Sequence, residues 1–547
     1  MKLESIPDEE RRKQPTAPPG KPLNRSQTNS TAVSFGSPEF ARRDSETPSV
    51  EGGKSASPSM STSTAASYTA YFQSPDAVLQ PSSTRPDWTH LPPDLQFYLE
   101  YFCNNITVYH YLMGSDPEEF FPLTLPSIAV QGGHDALLHA VVGFAAYHHV
   151  VRDPNGKIQD FLQYYNRSVT LLLDSFRRRE KQSIATLMTI LQLATIEEYL
   201  GDWVNLMGHQ RAAFKILSQL LTPQSAMQTS VSRILLTWYA RFDISVGMMA
   251  GFETMLSREW LSTVVQFAET QVANSPGPEL LVWKTEFQAA SLRLISMDMS
   301  VLFAKGGRGE ITTATFSAEY NRLLSRLHEW RSSLDPAVTD SSYLVTDFSG
   351  HRRALRDNDD NDDVVNPYRA GYLYEKPLFR MTILLAEWNS LILMHKSQEA
   401  NALQQEPSDE LKGHALAICE IFETVELWPG TPKGALMPIQ PCLAMAALFV
   451  PRDARHHMWM RRKYALIERL GYTFPLRMRS RMAELFRDPS CADWWLPNGE
   501  GLNPSIRSVR AFADERSANP VSEQTESVRE ISAIFAKMRI DRSEPTP

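Results

Sequence analysis

From about Pro92 almost to the C-terminus, apolar residues recur at steps of three and four, the period of an amphipathic helix. Between residues 157 and 179, Ile158, Phe161, Leu162, Tyr165, Val169, Leu172 and Phe176 share one side of the wheel, with Asp160, Gln163, Asn166 and Asp174 elsewhere. Asn155-Gly156 marks a turn before this helix. The next helix spans Ser183 to Leu200, with Ser183 as N-cap and Ile184, Leu187, Ile190, Leu191 and Ile196 as apolar positions. Gly201 breaks the pattern, and Asp202 caps a third helix that runs to about Leu221. The same reading predicts helices near 93–104, 133–151, 227–249, 278–304, 315–334, 369–396, 408–427, 434–450, 454–470, 476–487 and 521–539. Alternating strand patterns and fixed-period repeats are absent, so the expected fold is all-α: a multi-helix array of antiparallel helical hairpins with a disordered N-terminal tail.

Two stretches interrupt the periodicity. Residues 1–88 are rich in Ser, Thr, Pro and Gly, with ten basic residues balanced by ten acids, and read as a disordered tail or linker. Residues 336–367 carry Asp357-Asn358-Asp359-Asp360-Asn361-Asp362-Asp363 and read as an acidic polar loop. The expected division is therefore a helical half at 89–335, the loop, a second helical half at 368–540, and a flexible tail at 541–547; an insertion within one domain fits the same pattern.

Composition narrows the function. The 547 residues are 42% hydrophobic, ample for a packed core, and the net charge of −8 with a pI near 6.0 gives no global field toward nucleic acid. Cys103, Cys419, Cys442 and Cys491 are too few and too scattered for a disulfide framework. No apolar run reaches the roughly 18 to 20 residues of a membrane-spanning helix, and the acidic first residues do not make a secretory signal. A soluble protein of a reducing compartment is expected.

One set of segments carries a resemblance: Leu137-Leu138-His139-Ala140-Val141-Val142-Gly143-Phe144-Ala145-Ala146-Tyr147-His148, Tyr164-Tyr165-Asn166-Arg167-Ser168-Val169, and Gly201-Asp202-Trp203 followed by His209-Gln210-Arg211-Ala212-Ala213. Trp238-Tyr239-Ala240-Arg241-Phe242-Asp243, Glu259-Trp260, Trp428-Pro429, Pro451-Arg452-Asp453 and Trp494-Trp495-Leu496-Pro497 continue it over roughly 92–515. Together they resemble the fungal-specific regulatory domain of zinc binuclear cluster transcription factors. The resemblance implies a nuclear, all-α transcriptional regulator that is not an enzyme and needs no cofactor in this domain. Its implied partners are other transcription proteins, a second copy of itself, or a small-molecule effector. A binuclear cluster takes six thiolates in a compact run. The four scattered cysteines cannot supply it, which leaves a regulator without a cluster or a sequence that begins downstream of one. Direct sequence-specific DNA binding is not expected of these residues alone, and no membrane is implied.

Other residue patterns are weighed beside this. Asp359, Asp360 and Asp363 fit the D-D-x-x-D spacing by which all-α terpene synthases hold Mg²⁺, but the run lacks apolar partners and reads as solvated. Such an enzyme, and a helical scaffold outside transcription, stand as alternatives. His134, His139, His148-His149 and His456-His457 lack ligand spacing, so no metal site is expected. Gly306-Gly307-Arg308-Gly309 reads as a helix stop, and the cysteines as buried thiols. Arg11, Arg12 and Lys13 form a nuclear-localisation candidate. Ten basic residues between Arg452 and Arg487 suggest a basic contact face, with Arg461, Arg462, Lys463, Arg477, Arg479 and Arg481 at its centre. Ion pairing of these groups with the protein's own acidic loops, or plain solvation, is the favoured reading.

Overall fold

Sixteen α-helices form among the residues that the computed structural model describes, 85–114, 119–348, 364–403 and 408–518. They are α1 (Pro93–Asn105), α2 (Leu125–Ala129), α3 (Asp135–Arg152), α4 (Ile158–Arg177), α5 (Ile184–Tyr199), α6 (Trp203–Leu220), α7 (Ser230–Ala250) and α8 (Arg258–Asn274). There follow α9 (Gly277–Gly307), α10 (Thr313–Ser332), α11 (Phe379–Leu403), α12 (Asp409–Leu427), α13 (Gln440–Ala446), α14 (Ala454–Arg469), α15 (Leu476–Phe486) and α16 (Pro504–Ala518). The most extensive packing is between sequence neighbours, α3 with α4, α8 with α9, α5 with α6 and α11 with α12, so the array is built from helical hairpins. Among the described residues the only ladder pairing is an antiparallel bridge between Leu344 and Tyr374. No described helix is long and apolar enough to cross a membrane.

Local chemistry sets the helix ends. The Ser183 hydroxyl accepts from the Thr186 backbone N–H and Asp202 accepts from that of Asn205, the two caps expected from the sequence. Helix α4 buries Phe161, Tyr165, Val169, Leu172 and Phe176 on its predicted side. Nearly every residue of α5 is buried, Glu197 and Glu198 included, so this helix runs through the centre of the body. Helix α9 stops at Gly307, with Gly309 left-handed just beyond it.

Buried apolar residues from Leu95 to Val509 form one contiguous core. Residues before and after the 336–367 stretch both contribute to it. Tyr147 donates to the Gly471 carbonyl at 2.6 Å, and the Thr473 N–H donates to that of Tyr199 at 2.7 Å. Gly201 makes this approach feasible: its φ is 69°, and a Cβ there would stand 2.6 Å from the Thr473 oxygen.

Several elements depart from expectation. The helix expected at 369–396 starts only at Phe379, because residues 364–378 carry Pro367, Gly371 and Pro377 and turn back to pair Tyr374 with Leu344. The helix expected at 434–450 is α-helical only at Gln440–Ala446, where Pro438 and Pro441 confine it. Helices α2, α8 and α16 were not anticipated. The predicted helix at 521–539, the tail through residue 84 and the Asp357–Asp363 run lie outside the described residues.

Candidate functional site

The sequence-predicted basic face is divided by the fold. Arg461, Lys463 and Arg479 are only 6%, 6% and 2% exposed, which corrects their assignment to a surface. Their positions on α14 and α15 point toward the core, where acids and carbonyls receive them. Lys463 Nζ lies 3.1 Å from Glu423 Oε1 and 2.6 Å from Glu426 Oε2 of α12, and sits over the Trp459 ring. Arg461 donates to Asp488 Oδ2 at 2.8 Å and to the Trp495 carbonyl. Arg479 donates to the Phe474 and Ala492 carbonyls at 3.0 and 2.7 Å, and also to Asp514 of α16. These groups pair with the protein's own acids, on helices α12 and α16 as well as at Asp488, rather than being solvated.

The remaining half is a surface. Arg462, Arg477 and Arg481 are exposed, as are Arg455 and Arg469. Arg455, Arg462 and Arg469 are seven residues apart, two turns per step, and so form a stripe along one face of α14 of about 21 Å. The only acid within α14, Glu468, is buried on the opposite side.

A second constellation went unnoticed in the sequence. Glu197 on α5, Asp202 at the α6 N-cap, Tyr165 on α4, His209 on α6 and Arg516 on α16 converge in one buried seam. Arg516 donates to Glu197 Oε1 at 3.0 Å, its Nε stands 3.2 Å from Asp202 Oδ2, and Tyr165 donates its hydroxyl to Glu197. Burial pushes the Glu197 carboxyl up to about 7 against the pull of Arg516, and burial with the nearby Arg516 charge lowers His209 to about 3. Burial opposes the charge on Arg516, yet Glu197, Tyr165 and Asp202 hold its pKa above the ordinary value. The sequence signal available was the pair Glu197-Glu198 inside an otherwise apolar helix. Beside this seam, Glu468 accepts from the Trp495 indole at 3.1 Å and lies 3.5 Å from Arg510 of α16.

A surface cleft of about 370 Å³ opens over the stacked rings of Phe379 and Trp428, with Glu375, Lys376, Gly430 and Pro432 at its walls. Among the described residues no group of three His, Cys, Asp or Glu is placed to hold a metal. His148 is buried against Phe144, Tyr199 and His110, His139 holds the Asp135 carbonyl, and His456 pairs with Asp453. Burial pushes the thiols of Cys103 and Cys491 up to about 11, and those of Cys419 and Cys442 higher still. Arg11, Arg12 and Lys13 fall outside the described residues, as do Asp359, Asp360 and Asp363.

Set beside known proteins, residues 95–495 match the family described as fungal specific transcription factor domain. No curated protein and no solved structure matches the chain.

Proposed function

The chain belongs to the fungal specific transcription factor domain family, and from that premise we propose that it is a nuclear regulator acting through contacts of its helical body with other transcription proteins. The supporting observation is the exposed stripe Arg455, Arg462 and Arg469 on a helix that presents no acid of its own. Such a face attracts an acidic protein surface. Residues 1–547 hold four cysteines, too few for a six-cysteine cluster within them, so the proposed contact is one between protein surfaces. Transcriptional control is the role, with no catalytic step.

The test tethers the full chain to a reporter promoter through a heterologous DNA-binding domain in a fungal host. Transcription should change with the wild-type chain and return toward baseline when Arg455, Arg462 and Arg469 are replaced by Glu. An equally abundant nuclear fusion that leaves the reporter unchanged sinks the proposal. A small-molecule effector is a second reading, favoured by the Phe379–Trp428 cleft. Tryptophan emission that shifts on ligand addition, and stops doing so in Trp428→Phe, would support it.

A further inference from the structure

Helix α16 lies on the body with one side buried, and charged groups make up part of that side. Its inward positions, Ile506, Val509, Arg510, Ala513 and Arg516, recur at three- and four-residue steps, but only three of them are apolar. The other two are arginines, and a third pairing runs from Asp514 to Arg479 on α15. Arg510 approaches Glu468 at 3.5 Å and donates to the Ala492 carbonyl at 3.0 Å. Arg516 reaches Glu197 and Asp202 at 3.0 and 3.2 Å. Its start is held by Ser505, whose hydroxyl donates to the carbonyls of Asp153 and Gly156, and by Asn503, which donates to that of Val151.

We propose that α16 is a releasable strap, seated by buried ion pairs across α4–α6 and α14–α15, whose undocking leaves the Tyr147–Gly471 and Tyr199–Thr473 contacts of the body in place. The physical ground is the near-balance of buried ion pairs with hydration. Removing one partner in place strands a charge, but withdrawing the whole helix returns every partner to water, so the lost attraction is largely offset by recovered solvation. The seat is also incompletely satisfied. Glu197 Oε2, His209 Nε2 and Arg516 Nη1 are buried with no protein hydrogen-bond partner, and Arg510 Nη1 meets Glu468 Oε2 only at 3.5 Å. The connection is built to pivot: Asn498, Gly499 and Gly501 are all left-handed, at φ 56°, 70° and 73°, on an exposed stretch just before the helix. By contrast α5 is buried on every side and cannot leave without opening the core.

Native-state hydrogen exchange on the full chain tests this independently of the transcriptional proposal. In the wild type, the amides of α16 should exchange together, at least 100-fold faster than the slowest amides of α5. Asp514→Asn, at the partly exposed edge of the seat, should speed α16 at least fivefold and leave α5 and α7 unchanged. Arg516→Ala should do so more strongly and also open the first turn of α6. Wild-type α16 amides that exchange only with α5, or Asp514→Asn with unaltered α16 exchange, would each overturn the strap. Should Arg516→Ala fail to fold, the wild type and Asp514→Asn decide alone.

Discussion

Lys463 Nζ stands 3.1 Å from Glu423 Oε1 inside the protein, each side chain no more than 10% exposed. A buried pair of this kind contributes little against an apolar pair of the same volume, but stranding either charge is costly. Lys463→Met should therefore lower unfolding free energy by about 3–5 kcal/mol. Combining it with Glu423→Leu should recover about half of that or more, leaving Glu426, which is partly exposed, to be solvated. Urea titrations of the two singles and the double close the cycle. Strict additivity would show that the two groups are not coupled.

Why such pairs escape a reading of the sequence follows from their reach. The Ser183 and Asp202 caps, the α4 apolar side and the stop at Gly307 depend on residues within one turn, so they are legible locally. Glu423 is 40 residues from Lys463, and nothing near Lys463 announces it. Helix α16 escaped because two of its inward positions are Arg510 and Arg516, which read as outward ones. Helix α8 fully buries only Trp260, Leu261 and Ala268, too few to impose a period. The charge count between Arg452 and Arg487 was correct, but a count cannot say which side of α14 each arginine occupies.

Acid should destabilise the fold steeply. Burial lowers His110 and His209 to about 3 and His148 well below its ordinary value, all from 6.5. Their folded pKa values lie below the unfolded one, so their contribution is full above pH 6.5 and falls as the pH drops toward 3. The slope approaches about 1.4 kcal/mol per pH unit for each histidine. Glu197 acts in the opposite sense: its folded value of about 7 exceeds the ordinary 4.5, so its contribution is present below pH 4.5 and lost as pH rises through 7. Thermal melts across pH 4.5–8.5 should rise along a steep acid limb to about pH 7 and change little above it. His209→Gln should flatten that limb; an unaltered acid limb would remove His209 from the account.

Asp243 ties down the turn between α7 and α8. Its carboxylate accepts from the backbone N–H of Met255 and of Leu256, both at 2.8 Å, and from Gln210 at 2.7 Å. Burial raises its pKa to about 6 even with these donors. Asp243→Ala strands the donors and should cost about 2–4 kcal/mol, and Asp243→Asn, which keeps one acceptor oxygen, about half as much. Chemical denaturation measures both. Equal losses would mean that side-chain volume, rather than the paired acceptance, holds the turn.

The two sets of arginines in the same segment make the sharpest contrast. Arg455, Arg462 and Arg469 are exposed on α14, and exposed charges contribute little to stability. Replacing all three by Glu should shift unfolding free energy by no more than about 1 kcal/mol. Arg479 is 2% exposed and holds two carbonyls and Asp514, so Arg479→Ala leaves buried acceptors unpaired and should cost about 3–5 kcal/mol. Melting curves separate the sets, and pull-down with an acidic transcription partner at rising salt separates their roles. The triple reversal should fold normally yet lose binding, and the wild-type contact should weaken between low and physiological salt because the stripe is screened. A triple variant that unfolds would place the stripe in the fold's own scaffolding, and one that binds undiminished would move the contact surface elsewhere on the body.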